Sequence, residues 1–135
     1  MTQTIRRHWR TSALVTLASV TLAAVLPLLA DKGPASRDVV LLTRGMAFVV
    51  KGQPEDVNPV VRVTAGERVR FVLRNQTAGM QHDFAIPSWD VATRLLARDE
   101  EASVIVKIPD TPGAVEYLCR PHAQMMRGTI EISAR

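Results

Sequence analysis

Cysteine occurs once in the chain, at Cys119, so no disulfide can form within it. Histidine is nearly as scarce: His8, His82 and His122 are the only three. There is no internal repeat and no low-complexity tract, and 135 residues suit one domain, since single cores of roughly 100 to 150 residues are the commonest case. Charge of one sign is missing from the body of the chain as well. Three of the 17 basic residues, Arg6, Arg7 and Arg10, precede the first apolar run, and the other 14 face 13 acidic ones. With no polybasic tract beyond residue 10, the formal charge of +4 does not argue for nucleic acid. A hydrophobic share of 47% and a charged share of 22% exclude a disordered chain and a multi-span membrane protein.

Residues 1–30 read as a targeting segment. A basic start is followed by an apolar run from Ala13 to Ala30 that is broken only by Thr, Ser and Pro27. The expectation is export, with a signal peptide cleaved between Ala30 and Ala35. An uncleaved anchor is the alternative, because the 18-residue run is at the short edge of a bilayer span. The Arg6-Arg7 pair offers a weak match to a twin-arginine signal. Residues 31–37 form a polar linker containing Gly33, Pro34 and Ser36, and residues 38–135 make up the domain. A lone thiol exported to an oxidising compartment is a liability unless something occupies it, and metal is one such occupant.

From residue 38 onward short alternating runs dominate. The clearest is 68–75, where Val69, Phe71 and Leu73 alternate with Arg68, Arg70 and Arg74, giving one apolar face and one wet face. Comparable runs at 38–43, 45–51, 59–64, 82–87, 103–108, 114–119 and 128–133 predict about eight strands. At 88–97 the closer spacing of Trp89, Val91, Ala92, Leu95 and Leu96 predicts a short helix or an irregular crossover. This pattern implies an all-β Greek-key β-sandwich.

The chemistry-bearing stretch is 117–130, where Cys119, His122, Met125 and Met126 fall within a few residues of one another. A His₂Cys plane with a weak axial Met is the ligand set of blue-copper electron-transfer sites. His8 lies in the leader, so His82 is the second histidine such a set requires. Strand parity tests this, because alternate side chains face opposite sides of a sheet. Cys119 shares a face with Tyr117 and Val115, His82 with Phe84 and Ile86, and Met126 with Gly128, Ile130 and Ile132. Met125 falls on the other face.

Cys119-Arg120-Pro121-His122 followed by Met126-Arg127-Gly128, with His82-Asp83-Phe84 upstream, resembles the cupredoxin (type 1 blue copper) family of plastocyanin, pseudoazurin and amicyanin. The resemblance spans roughly residues 38–133. It implies a single copper ion held by His82, Cys119, His122 and Met126. Three residues separate His122 from Met126, against two in amicyanin and four in plastocyanin, which leaves Met125 as a second candidate for the axial position. The resemblance also suggests that Asn75 ties the ligand loops and holds the thiolate loop, although an ordinary turn Asn fits equally. Met80 either lines the mouth of the site or is simply exposed, and Arg120 and Arg127 read as solvated surface beside the ligands.

The implied function is one-electron transfer between periplasmic or membrane-associated redox partners, by a monomer. The partner would be a cytochrome or a copper- or haem-containing oxidoreductase, docking where the edge of His122 reaches the surface. A periplasmic copper carrier or storage protein is the alternative. An enzyme of the multicopper oxidase or nitrite reductase kind needs more histidines than remain after His82 and His122, so the chain is not read as an enzyme.

Overall fold

The computed structural model describes residues 34–135, so the segment read as a leader and the first three residues of the linker lie outside the described residues. Nine strands follow: β1 (Arg37–Thr43), β2 (Phe48–Val50), β3 (Val60–Thr64), β4 (Arg68–Arg74), β5 (Ala85–Ile86), β6 (Val91–Ala92), β7 (Glu101–Lys107), β8 (Gly113–Leu118) and β9 (Arg127–Ser133). They form two sheets, one in the order β2-β1-β4-β7 and the other β3-β9-β8-β5-β6. Two pairings are parallel, β1 with β4 and β3 with β9, and the rest are antiparallel. The expected β-sandwich is therefore present, and β1 begins one residue earlier than the linker boundary drawn from sequence.

The alternation that predicted β4 governs its packing. Val69, Phe71 and Leu73 are fully buried, while Arg70 and Arg74 are exposed, as a half-buried strand requires. On β1, Val39 and Leu41 face the same core. The second sheet contributes Val61, Val63, Ile86, Tyr117, Ile130 and Ile132. Aromatic rings join the two layers. Phe71 of β4 stacks on Phe84 at 5.1 Å between centroids, and Tyr117 of β8 meets Phe48 of β2 edge-on at 5.5 Å. Such pairs add about 0.5–1.5 kcal/mol each beyond the area they bury.

Two expected strands are shorter than predicted. The run at 45–51 narrows to β2 because Arg44–Ala47 closes a turn, with Gly45 at φ +58° and the Arg44 N–H donating to the Ala47 carbonyl at 2.9 Å. The run at 82–87 narrows to β5. Residues 82–84 pair with the segment that follows, through a single bridge between His82 and Leu96. There the Phe84 N–H donates to the Thr93 hydroxyl (3.0 Å), and the Thr93 N–H donates to the Phe84 carbonyl (2.9 Å). A side chain thus takes one place in the ladder. Residues 88–97 are the irregular crossover. A 3₁₀ turn at Pro87–Trp89 ends at Asp90, which sits in the left-handed region (φ +53°), and β6 follows at once. Leu96 is buried, but Leu95 and Ala92 are exposed, so the spacing that suggested a helix belongs to residues anchored one at a time.

Candidate metal centre

Cys119 directly follows β8, and the next residues turn back on themselves. A 3₁₀ turn at Arg120–His122 returns His122 beside the cysteine, with the His122 N–H donating to the Cys119 carbonyl at 3.1 Å. Pro121 in the first turn supplies a preset φ for that geometry. The loop closes through the N–H groups of Met125 and Met126, both donating to the His122 carbonyl at 2.9 Å, and through the Cys119 N–H donating to the Met126 carbonyl at 2.9 Å. His82 reaches the same place from the other arm of the sheet, held by reciprocal backbone bonds with Leu96.

Three donor atoms converge here. Cys119 Sγ lies 3.7 Å from His82 Nδ1 and 3.5 Å from His122 Nδ1, and the three donors all fall within 4.8 Å of one another. Ordinary metal distances of about 2.3 Å to sulfur and about 2.0 Å to nitrogen, at angles between tetrahedral and trigonal, put S and N roughly 3.5 to 3.7 Å apart. The observed spacings match a shared ion. Cys119 and His82 are fully buried, while His122 is half-buried. The rings of the two histidines are 4.8 Å apart and tilted by 50°. His82 Nε2 is buried without a hydrogen-bond partner, which disfavours the charged imidazolium and leaves a neutral ring suited to ligation.

The electrostatics agree. Burial pushes the His82 pKa below its usual value, and the neighbouring His122 adds to this. Burial likewise raises the Cys119 thiol, with the Asp83 charge acting in the same direction, while backbone N–H groups of Asp83 and His122 work against it by favouring the thiolate. A metal ion must therefore displace the thiol proton.

Met126 is fully buried in the core cluster that contains Cys119, while Met125 is 54% exposed at the loop surface. Parity had separated these two adjacent residues in this sense. Met80 is half-buried, and its carbonyl accepts from the Asn75 amide (2.8 Å).

Asn75 is buried and saturated, but it does not hold the thiolate loop. Its Nδ2 donates to the carbonyls of Met80 and Leu96 (both 2.8 Å), and its Oδ1 accepts from the Thr43 hydroxyl (2.7 Å) and the Thr77 N–H (2.8 Å). It therefore braces the segments flanking His82. The thiolate loop is fastened by Asp83, which sequence reasoning passed over. Its buried carboxylate accepts from the Arg120 N–H at 2.8 Å and from Arg120 Nε at 2.5 Å. Parity gave no signal for it, because Asp83 alternates with the inward His82 and Phe84; only its charge, complementary to Arg120 beside the cysteine, hints at the pair. Arg120 is thus tethered and not simply solvated, and Arg127 is bound to the Ala123 carbonyl (2.8 Å) and to Glu116 (3.4 Å).

No family model and no curated protein matches this sequence. Solved structures do match its fold. Auracyanin from the photosynthetic bacterium Roseiflexus castenholzii superposes with a TM-score of 0.59 at 16% identity, covering 74% of this chain and 99% of that one. Rusticyanin from Thiobacillus ferrooxidans gives 0.58 at 20% identity over 74% and 79% of the two chains. Auracyanin A, described as a "blue" copper protein from Chloroflexus aurantiacus, gives 0.56 at 16% identity over 71% and 98%. Identities this low establish a likeness of fold, and the fold is that of the cupredoxins.

Proposed function

We propose that this chain is a type 1 copper protein that passes single electrons between redox partners. The observation that carries the reading is the convergence of Cys119, His82 and His122 at spacings that suit one ion, on backbone already locked by hydrogen bonds. Met126, buried beside Cys119 in the same cluster, is the fourth donor. Both sulfurs disfavour a hard cation, and a thioether beside the thiolate and two imidazoles favours copper over zinc. Bound copper would supply the one-electron couple between Cu(II) and Cu(I). The protein's part is to keep the donors in one arrangement for both oxidation states, so that little has to move when the electron does.

The two histidines differ in access. His82 is enclosed, whereas His122 is half-exposed and flanked by the exposed Pro121 and Met125. The electron is best routed through the His122 edge, at an apolar surface suited to a small, transient encounter. A cytochrome or a copper- or haem-containing oxidoreductase is the partner class proposed, outside the cytoplasm as the leader suggests. A copper carrier is the second reading. The Asp83 and Asn75 braces count against it, because a site that must release its ion gains nothing from ligands pinned on every side.

An absorption spectrum after Cu(II) addition tests the proposal. An intense visible thiolate-to-copper band with a reversible potential is expected, and Cys119→Ser should lose that band while remaining a folded β protein. A colourless protein that binds only Cu(I) would overturn electron transfer in favour of trafficking, and retention of the band in Cys119→Ser would overturn the site.

A further inference from the structure

We infer that Asn58, 67 positions from the residue it grips, is a positioning residue for the axial donor Met126. The inference rests on the copper reading above. Asn58 lies just before β3, at φ +48°, a left-handed conformation that Asn and Asp tolerate better than other side-chain-bearing residues. That conformation turns both its backbone and its side chain toward β2. The Asn58 N–H donates to the Phe48 carbonyl at 2.8 Å, and Asn58 Oδ1 accepts from the Phe48 N–H at 2.9 Å. Phe48 is fully buried among the core rings, so the amide is fixed to a rigid element. Its remaining donor, Nδ2, reaches across to the carbonyl of Met125 at 2.9 Å.

The peptide unit it grips is the one that leads into Met126. The carbonyl of that unit is held by Asn58 and its N–H by the His122 carbonyl, while the next carbonyl, that of Met126 itself, accepts from the Cys119 N–H. The Met126 backbone is thus fixed on both sides, and Asn58 is the tie that comes from outside the ligand loop. The neighbouring Pro59 adds a second fastening, since its carbonyl accepts from the buried Tyr117 hydroxyl at 2.7 Å, two residues before Cys119. Residues 58 and 59 therefore clasp both arms of the hairpin that carries the sulfur donors. A thioether is a weak axial ligand, so its own bond to copper cannot dictate where it sits, and the protein must.

The test uses Asn58→Gly, which keeps the left-handed backbone but loses the amide, and Asn58→Asp. The latter retains an acceptor for the Phe48 N–H but sets a second oxygen against the Met125 carbonyl. In metal-free protein, exchange of the Met126 amide hydrogen should quicken about fivefold in both variants, the factor expected for loss of one ordinary hydrogen bond. In copper-loaded protein both should shift the Cu(II)/Cu(I) equilibrium constant by about threefold or more and alter the visible spectrum. Placed in a Met126→Gln background, Asn58→Gly should add no further shift, because the group it positions is gone. Wild-type potentials in both single variants, or an undiminished shift in the Met126→Gln background, would overturn the inference. Absence of the thiolate band from the wild-type protein overturns the copper reading itself, and is distinguished by being seen before any substitution is made.

Discussion

The ring of Tyr117 lies against Gly128, its cross-strand partner, so closely that a Cβ built on the glycine would stand 2.4 Å from both Cζ and the hydroxyl oxygen. The ring cannot swing aside, because it is fully buried and its hydroxyl is bonded to the Pro59 carbonyl. Gly128→Ala should therefore destabilise the metal-free protein by about 1–3 kcal/mol through overpacking. A urea midpoint lowered at unchanged slope is the expected result.

His122 is half-exposed and His82 is enclosed, so deleting the two rings should have different consequences. His122→Gly opens a gap that added imidazole can enter, restoring the coloured site. In His82→Gly the ring position is fully enclosed, and imidazole should restore little. Equal rescue, followed by visible absorption, would contradict the assignment of His122 as the surface ligand.

Met126 and Met125 are neighbours on opposite sides of the loop wall. Met126→Gln exchanges a soft thioether for a harder oxygen donor and should lower the potential clearly, while copper remains bound. Met125→Gln should shift it little. Spectroelectrochemical titration of both against wild type would reveal the reverse ranking if Met125 were the axial donor.

The pKa of His82 in the folded state lies below its ordinary value of 6.5, chiefly through burial and then through His122. The unfolded chain therefore binds the proton more readily than the folded one, and stability that is complete above about pH 6.5 is lost as pH falls below it. Metal-free protein should show this loss as pH falls below about 6.5, and His82→Gln should show less of it. Denaturant midpoints across that range, with the two proteins compared at each pH, make the measurement.

Much of this was legible because strands advertise their faces. Val69, Phe71 and Leu73 announce β4, and the same two-residue period carries Cys119, His82 and Met126 inward. The failures share a cause. Thr93 replaces a backbone partner with a hydroxyl, so β5 is shorter than its apolar run, and a one-dimensional pattern has no means of recording that exchange. Asn75 was expected on the thiolate loop, yet it braces the His82 segments, because an Asn beside a turn reveals its reach but not its direction. The ties of Asp83 to Arg120 and Asn58 to Met125 span 37 and 67 positions. They rest on single polar side chains, which have no period to detect.

Cys119, His122 and Met126 fall within one eight-residue stretch, while His82 lies 37 positions upstream. Denaturing the protein scatters the sheets, but on the copper reading proposed above it leaves the three clustered donors on a short tether where they can still chelate. Binding to the unfolded chain subtracts from the stabilisation a ligand gives the native one. The increment by which copper raises the melting temperature is thus a measure of what the distant imidazole and the preset loop contribute, not of the total affinity for the ion. Copper should accordingly leave slowly even from heat-unfolded chains, and refolding would begin with the metal already aboard and only His82 left to recruit.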